Sequence, residues 1–219
     1  MSHKVRLRFC KTGKAKYISH LELMSVMRRT LLRVGVRLRY SEGFNPHPQM
    51  SVALPLPVGC GSICEMMDFG VLDELNHIDL PLLINPGLPE GLEVLEVYFP
   101  NRKFNEISWV ELSGDMYYDD RTPTDAVNRL RGRFAEDSIV ITKKTKRGSS
   151  EIDICPYITD VDIPDGEKLT IRVKVSAQNP TINPDNLISA LEGTYSDLKP
   201  DFSFFTRIEV YDRDMNIFR

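Results

Sequence analysis

Two of the chain's four histidines, His20 and His47, fall in the same N-terminal stretch as Tyr17. Imidazole changes charge near neutral pH, so a loop folded back on a helix start could set His20, His47 and Tyr17 to general acid and base work on RNA without a metal. A histidine at a helix start is also an ordinary structural residue, and both readings stay open. Cys60-x-x-x-Cys64 has the opening spacing of a C-x-x-x-C-x-x-C cluster motif, but Met67 stands where the third thiolate would be. A thioether cannot replace that thiolate, and no paired C-x-x-C spacing supplies zinc ligands, so neither metal nor cofactor is expected. There is no G-x-x-x-x-G-K-[ST] loop, G-x-S-x-G elbow or H-E-x-x-H helix, which argues against nucleoside triphosphatase, serine hydrolase and zinc protease chemistry.

A different chemistry is carried by charge. The first fifty residues hold eleven Lys and Arg against two acids, Glu22 and Glu42, whereas the rest of the chain holds 17 basic and 29 acidic residues. A formal net charge of −3 therefore conceals a strongly basic front. Such a front suits a polyanion, with Arg6, Arg8, Lys11, Lys14, Lys16, Arg28, Arg29 and Arg33 as candidate phosphate contacts. The competing reading is a solvated basic face neutralised by the acidic part of the same chain. Tyr17, Tyr40 and Phe44 add rings that could stack on unpaired bases. Phe9 and Tyr40 are expected in the core, while Tyr17 and Phe44 stay open.

The segment from Tyr40 to Gly59 combines Pro46, Pro48, Pro55 and Pro57 with His47 and an apolar stripe. Each proline fixes φ and removes a backbone donor, so the segment is expected to be a stiff loop outside any central strand. Either it presents Phe44, Asn45 and His47 as a recognition surface, or it simply covers an open sheet.

The elements that must position these residues follow from periodicity. Val5, Leu7 and Phe9 alternate with basic residues, as in a half-buried strand. Ser19 and Glu22 form an S-x-x-E capping box, Ile18 and Leu23 are placed for a hydrophobic staple, and Leu21, Met24, Met27, Leu31 and Val34 continue as a helical stripe ending at Gly35. Strands are expected at 36–40, 65–71 and 92–99, with a short helix at 77–84. The later half repeats the order: strand 109–116, helix 126–134, strands 138–145 and 151–154 around a turn at 146–150, strand 169–175, helix 184–191 and strand 204–211. This predicts an α+β protein of two tandem ferredoxin-like βαββαβ units with antiparallel sheets: a basic domain at 1–100, and an acidic one at 107–219. No apolar run reaches membrane-spanning length, and the four cysteines lack a disulfide framework, so a cytoplasmic protein is expected.

The front also resembles a bacterial family of unknown function, the radical SAM-linked proteins. The resemblance rests on Arg8-Phe9-Cys-Lys11 with Gly13, Tyr17-Ile-Ser-His-Leu-Glu-Leu-Met24, Arg28-Arg29, Arg33-x-Gly35, Tyr40-Ser-x-Gly43-Phe-Asn-Pro-His-Pro48 and Ala53-Leu-Pro-Leu-Pro-Val-Gly59. It covers the first seventy residues closely, with Glu22 where the family usually has Asp. It implies a radical SAM protein as partner but supplies no catalytic residues. The expected function is thus a noncatalytic RNA-binding or substrate-presenting partner of a radical SAM enzyme, acting on tRNA or rRNA. A metal-independent ribonuclease using His20, His47 and Tyr17, and a protein-only scaffold, are the alternatives.

Overall fold

The computed structural model describes residues 3–72, 79–120, 122–145 and 148–219. They fall into two compact units, one reaching Glu106 and including Arg219, the other Ile107–Phe218. Both are mixed α/β, and the strand pairs within each are antiparallel.

The first unit runs β1 (His3–Lys11), α1 (His20–Arg33), β2 (Met50–Val52), β3 (Gly61–Val71), α2 (Leu80–Ile84) and β4 (Leu92–Tyr98). Strand β1 lies between β3 and β4, and β2 pairs with β3. The alternation of β1 buries Val5, Leu7 and Phe9 against Met67, Phe69 and Val71 of β3 and Leu23, Met27 and Leu31 of α1. Burying a side chain of this size contributes roughly 1.5 to 3 kcal/mol, so this face fixes which way the strand points.

Helix α1 starts as expected. The Ser19 hydroxyl accepts from the Glu22 N–H at 3.2 Å, and the Glu22 carboxylate accepts from the Ser19 N–H at 2.7 Å. Its stripe is shifted from the expected one: Leu23, Met27, Thr30 and Leu31 are buried, while Leu21 is 78 % exposed. Residues advance about 100° each around a helix, so a stripe centred on 23, 27, 30 and 31 turns position 21 outward.

The expected strand at 36–40 is reduced to isolated bridges, Leu38 to Val71 and Tyr40 to Pro48. The edge of β3 at Met67 to Phe69 is taken instead by Met50–Val52, from within the expected loop. Tyr40 is consequently 40 % exposed rather than part of the core, where Phe9 does lie. The expected helix at 77–84 is seen only as Leu80–Ile84, and its first residues, His77 included, lie outside the described residues.

The second unit runs β5 (Trp109–Tyr117), α3 (Ala126–Phe134), β6 (Val140–Thr145), β7 (Gly148–Asp153), β8 (Ile158–Asp162), β9 (Leu169–Ser176), α4 (Pro184–Ser189) and β10 (Phe202–Tyr211). Its main sheet has the order β10-β5-β9-β8, and β6 and β7 form a separate hairpin. The two strands expected around 146–150 therefore pair with each other outside the main sheet; Lys146 and Arg147 of that turn lie outside the described residues. Strand β8 lies outside the expected strands. It is short, polar and irregular, with a register shift between Thr159 and Asp162, so it carries little period-2 signal.

Candidate functional site

Lys4, Arg6 and Arg8 share the face of β1 opposite α1, but they are not equivalent. Arg6 is fully buried: its Nε and Nη2 donate to the two carboxylate oxygens of Asp68 at 2.6 and 3.0 Å, and Nη2 also donates to the Arg102 carbonyl at 2.9 Å. The ring of Phe104 lies over the guanidinium, 4.2 Å from Cζ to the ring centroid. Residues 102 and 104, expected in a connector, thus pack within the first unit. Arg6 is a structural residue and leaves the expected set of phosphate contacts, because a buried arginine with a bidentate carboxylate has no face to offer.

Lys11 leaves the set for the same reason. It is buried, and its Nζ donates to the carbonyls of Lys16 and Ile18 at 3.3 and 3.0 Å. Burial pushes its pKa down, against an upward pull from Glu65. Its work is to hold the turn Gly13–Tyr17 that leads into α1. Arg8 is half-buried and 3.3 Å from the Glu96 carboxylate. The cations of the set left more accessible are Lys14 and Lys16 of that turn and Arg28, Arg29 and Arg33 of α1, of which Lys14, Arg29 and Arg33 are exposed.

These five do not form one cluster. Helix α1 has fourteen residues, roughly 21 Å at the usual rise, so Lys14 and Lys16 before it and Arg33 at its end lie far apart. The chain then turns at Gly35, with φ +87°, and continues through exposed Arg37 to Leu38, which bridges Val71 beside the His3 end of β1. Arg37 and Arg39 thus extend the basic group of Arg29 and Arg33. The alternation Arg37, Leu38, Arg39, with Leu38 buried, is the signal that marks them.

The loop that follows closes on itself. The Ser41 N–H donates to the His47 carbonyl at 2.8 Å, the His47 N–H donates to the Ser41 hydroxyl at 3.1 Å, and His47 Nδ1 lies 3.0 Å from that hydroxyl. At the foot, the Gln49 N–H donates to the Arg39 carbonyl and the Gly70 N–H to the Gln49 carbonyl. Gly43 takes φ +120° at the tip, a region open to glycine, and beside it Phe44 is fully exposed, with Asn45 and His47 exposed too.

Tyr17, His20 and His47 are not brought together. The loop foot pairs beside Gly70, opposite Lys4, whereas Tyr17 and His20 follow Lys11 at the other end of β1. Seven residues of strand separate those ends by roughly 23 Å. Among the described residues no hydrogen bond joins the three, and the His47 ring is engaged by Ser41 and by the Asn45 carbonyl at 3.4 Å. Cys60 and Cys64 are both buried and outside any disulfide, and Cys64 Sγ is 3.7 Å from the Ser62 hydroxyl. Among the described residues no group of three or more His, Cys, Asp or Glu is placed to hold a metal, and no helix is long and apolar enough to cross a membrane.

Residues 4–184 match the family described as "Uncharacterized protein conserved in bacteria (DUF2344)", and the chain belongs to that family. No curated protein matches the chain. Among solved structures, a chain of a Cbf5-Nop10-Gar1 complex is similar at 13 % identity and a TM-score of 0.49, over 94 % of this chain and 48 % of that one; this chain spans about half its length. A protein of unknown role from Galdieria sulphuraria is similar at 9 % identity and a TM-score of 0.29, over 94 % of this chain and 98 % of that one. The small subunit of acetolactate synthase from Thermotoga maritima is similar at 10 % identity and a TM-score of 0.27, over 97 % and 98 %. At these scores and identities the likenesses bear on neither the site nor the function.

Proposed function

We propose that this member of the bacterial family is a noncatalytic RNA-binding protein that presents its substrate to a radical SAM enzyme, in modification of tRNA or rRNA. The observation that carries the RNA half is positional. Exposed Arg29, Arg33 and Arg37 occur at the same end of the first unit as a self-bonded loop with a fully exposed Phe44. Guanidinium groups bind phosphate oxygens, and an exposed ring on a preformed loop stacks on an unpaired base at little entropic cost. Lys14 and Lys16, at the far end of α1, would contact phosphates about two helical turns of protein or more away, which suits a structured RNA rather than a short single strand. The radical SAM half is supported by the sequence resemblance of the first seventy residues. In the same reading each unit is ferredoxin-like: the pairing β4-β1-β3-β2 and the order β10-β5-β9-β8 follow one pattern, with the hairpin β6–β7 as an insertion.

The test is a gel shift with tRNA and rRNA fragments, comparing wild type with Arg29→Ala/Arg33→Ala/Arg37→Ala. Loss of binding in the variant is expected. Equal or negligible binding by both proteins at low salt would overturn the RNA half and leave a protein-only scaffold. Copurification from native cells tests the radical SAM half independently.

A further inference from the structure

A groove of about 450 Å³ opens at the foot of the loop, lined among others by His3, Lys4, Arg39, Gln49, Ser51 and Asp68. That volume is within the usual range for a small-molecule site, about 300 to 1,000 Å³. It is built on strands. Lys4 stands opposite Gly70 across β1 and β3, Ser51 opposite Asp68 across β2 and β3, and the Arg39 N–H donates to the Gly70 carbonyl at 2.8 Å. Groups set on paired strands hold their positions better than groups on free loops.

Its electrostatics favour an anion. Asp68 is buried and already takes Arg6 from below and Lys4 Nζ at 2.7 Å, so one carboxylate faces two cations. The Lys4 side chain is nonetheless 59 % exposed, free to meet a ligand from the open side. Gln49 and Ser51 are exposed and bring an amide and a hydroxyl, each able to donate and accept, as base edges require. Gly70 leaves room at the floor of the site: a Cβ there would lie 3.1 Å from Arg39 Cβ and 3.3 Å from the Gln49 amide oxygen, a tight fit that asks each to give by a few tenths of an ångström.

From this arrangement we infer that the groove binds one nucleoside monophosphate unit, with Lys4 and Arg39 on the phosphate and Gln49 and Ser51 on the base. Asp68 is the positioning residue that holds Lys4 over the site. A free nucleotide and an unpaired nucleotide of RNA share this chemistry; for the RNA source the inference rests on the function proposed above, and for a free nucleotide it stands alone.

The test is calorimetric titration of the full chain with adenosine and uridine 5′-monophosphates, with inorganic phosphate and with a single-stranded RNA pentamer. Saturable nucleotide binding is expected, weakened about tenfold or more in Lys4→Ala/Arg39→Ala. A weakening is also expected in Gly70→Ala, which leaves every charge in place, and no change is expected in Arg213→Ala, an exposed cation of the second unit. Melting temperatures confirm that the variants fold, and amide shifts of Ser51 and Gly70 on titration locate the ligand. A pentamer that binds more tightly than the monophosphates marks RNA as the source; the reverse order marks a free nucleotide. The inference is overturned if no mononucleotide binds, if both groove variants bind like wild type, or if inorganic phosphate binds as tightly as the nucleotides. Mononucleotide binding without any tRNA or rRNA shift would sink the proposed function and keep the groove. A helix-dependent RNA shift without mononucleotide binding would do the opposite.

Discussion

At the scale of single residues, the structure separates cations that hold the fold from cations that face solvent. Arg6 and Asp68 are a buried pair in which each partner needs the other. Asp68→Ala leaves the guanidinium buried beside Lys4 without its carboxylate, and a loss of about 3 to 5 kcal/mol is expected by chemical denaturation. The double change Arg6→Met/Asp68→Leu removes both charges and should recover most of that stability; if it is as unstable as the single change, the pair is not the cause. Phe44 and His47 lie at the other extreme. Phe44→Ala/His47→Ala touches an exposed tip, so a change of about 0.5 kcal/mol, or no more than about 2 °C in melting temperature, is expected, together with weaker capture of RNA. A large loss of melting temperature would show instead that the loop is structural.

At the scale of elements, α1 depends on how it starts. The Glu22 carboxylate accepts from the Ser19 N–H, and this bond, with the Ser19 hydroxyl contact, holds its pKa below the ordinary value of 4.5. An acid with a lowered folded pKa stabilises the fold above its unfolded pKa and loses that contribution as pH falls through the folded value. Denaturation midpoints measured at about pH 6 and about pH 3 should therefore diverge less in Glu22→Gln than in wild type, since glutamine keeps the cap geometry without titrating. Ser19→Ala should cost about 1 kcal/mol at neutral pH. The strands obey a different constraint: 36–40 and 50–52 both have strand-like residues, yet only the second lies along Met67 to Phe69 of β3.

For the whole molecule, binding should report on phosphate contacts made along the basic front. Each contacted phosphate releases counterions, so the logarithm of the RNA affinity should fall by about 0.7 to 0.9 per contact for each tenfold rise in salt. Arg29→Ala/Arg33→Ala/Arg37→Ala should flatten that slope as well as weaken binding; an unchanged slope would place the contacts elsewhere. No RNA cleavage is expected in EDTA, because His20 and His47 lie at opposite ends of β1. Specific scission that disappears in His47→Ala would restore the ribonuclease alternative.

The amino-acid sequence by itself determined the features whose cause is local. The alternation of β1, the capping box of Ser19 and Glu22 and the arrest of α1 at Gly35 are all properties of neighbouring residues, and each stands where periodicity and capping chemistry put it. Charge was legible too, but only as a count. Whether a given arginine meets a phosphate or a buried carboxylate depends on residues far along the chain: Arg6 is 62 positions from Asp68 and 96 from Arg102. The same holds for Lys11, whose partners are carbonyls of a turn, and for the groove, which needs β1, β2 and β3 side by side. Strand β8 and the separate hairpin β6–β7 were likewise decided by tertiary pairing, because an extended segment joins a sheet only where a partner edge is available to satisfy its backbone donors and acceptors.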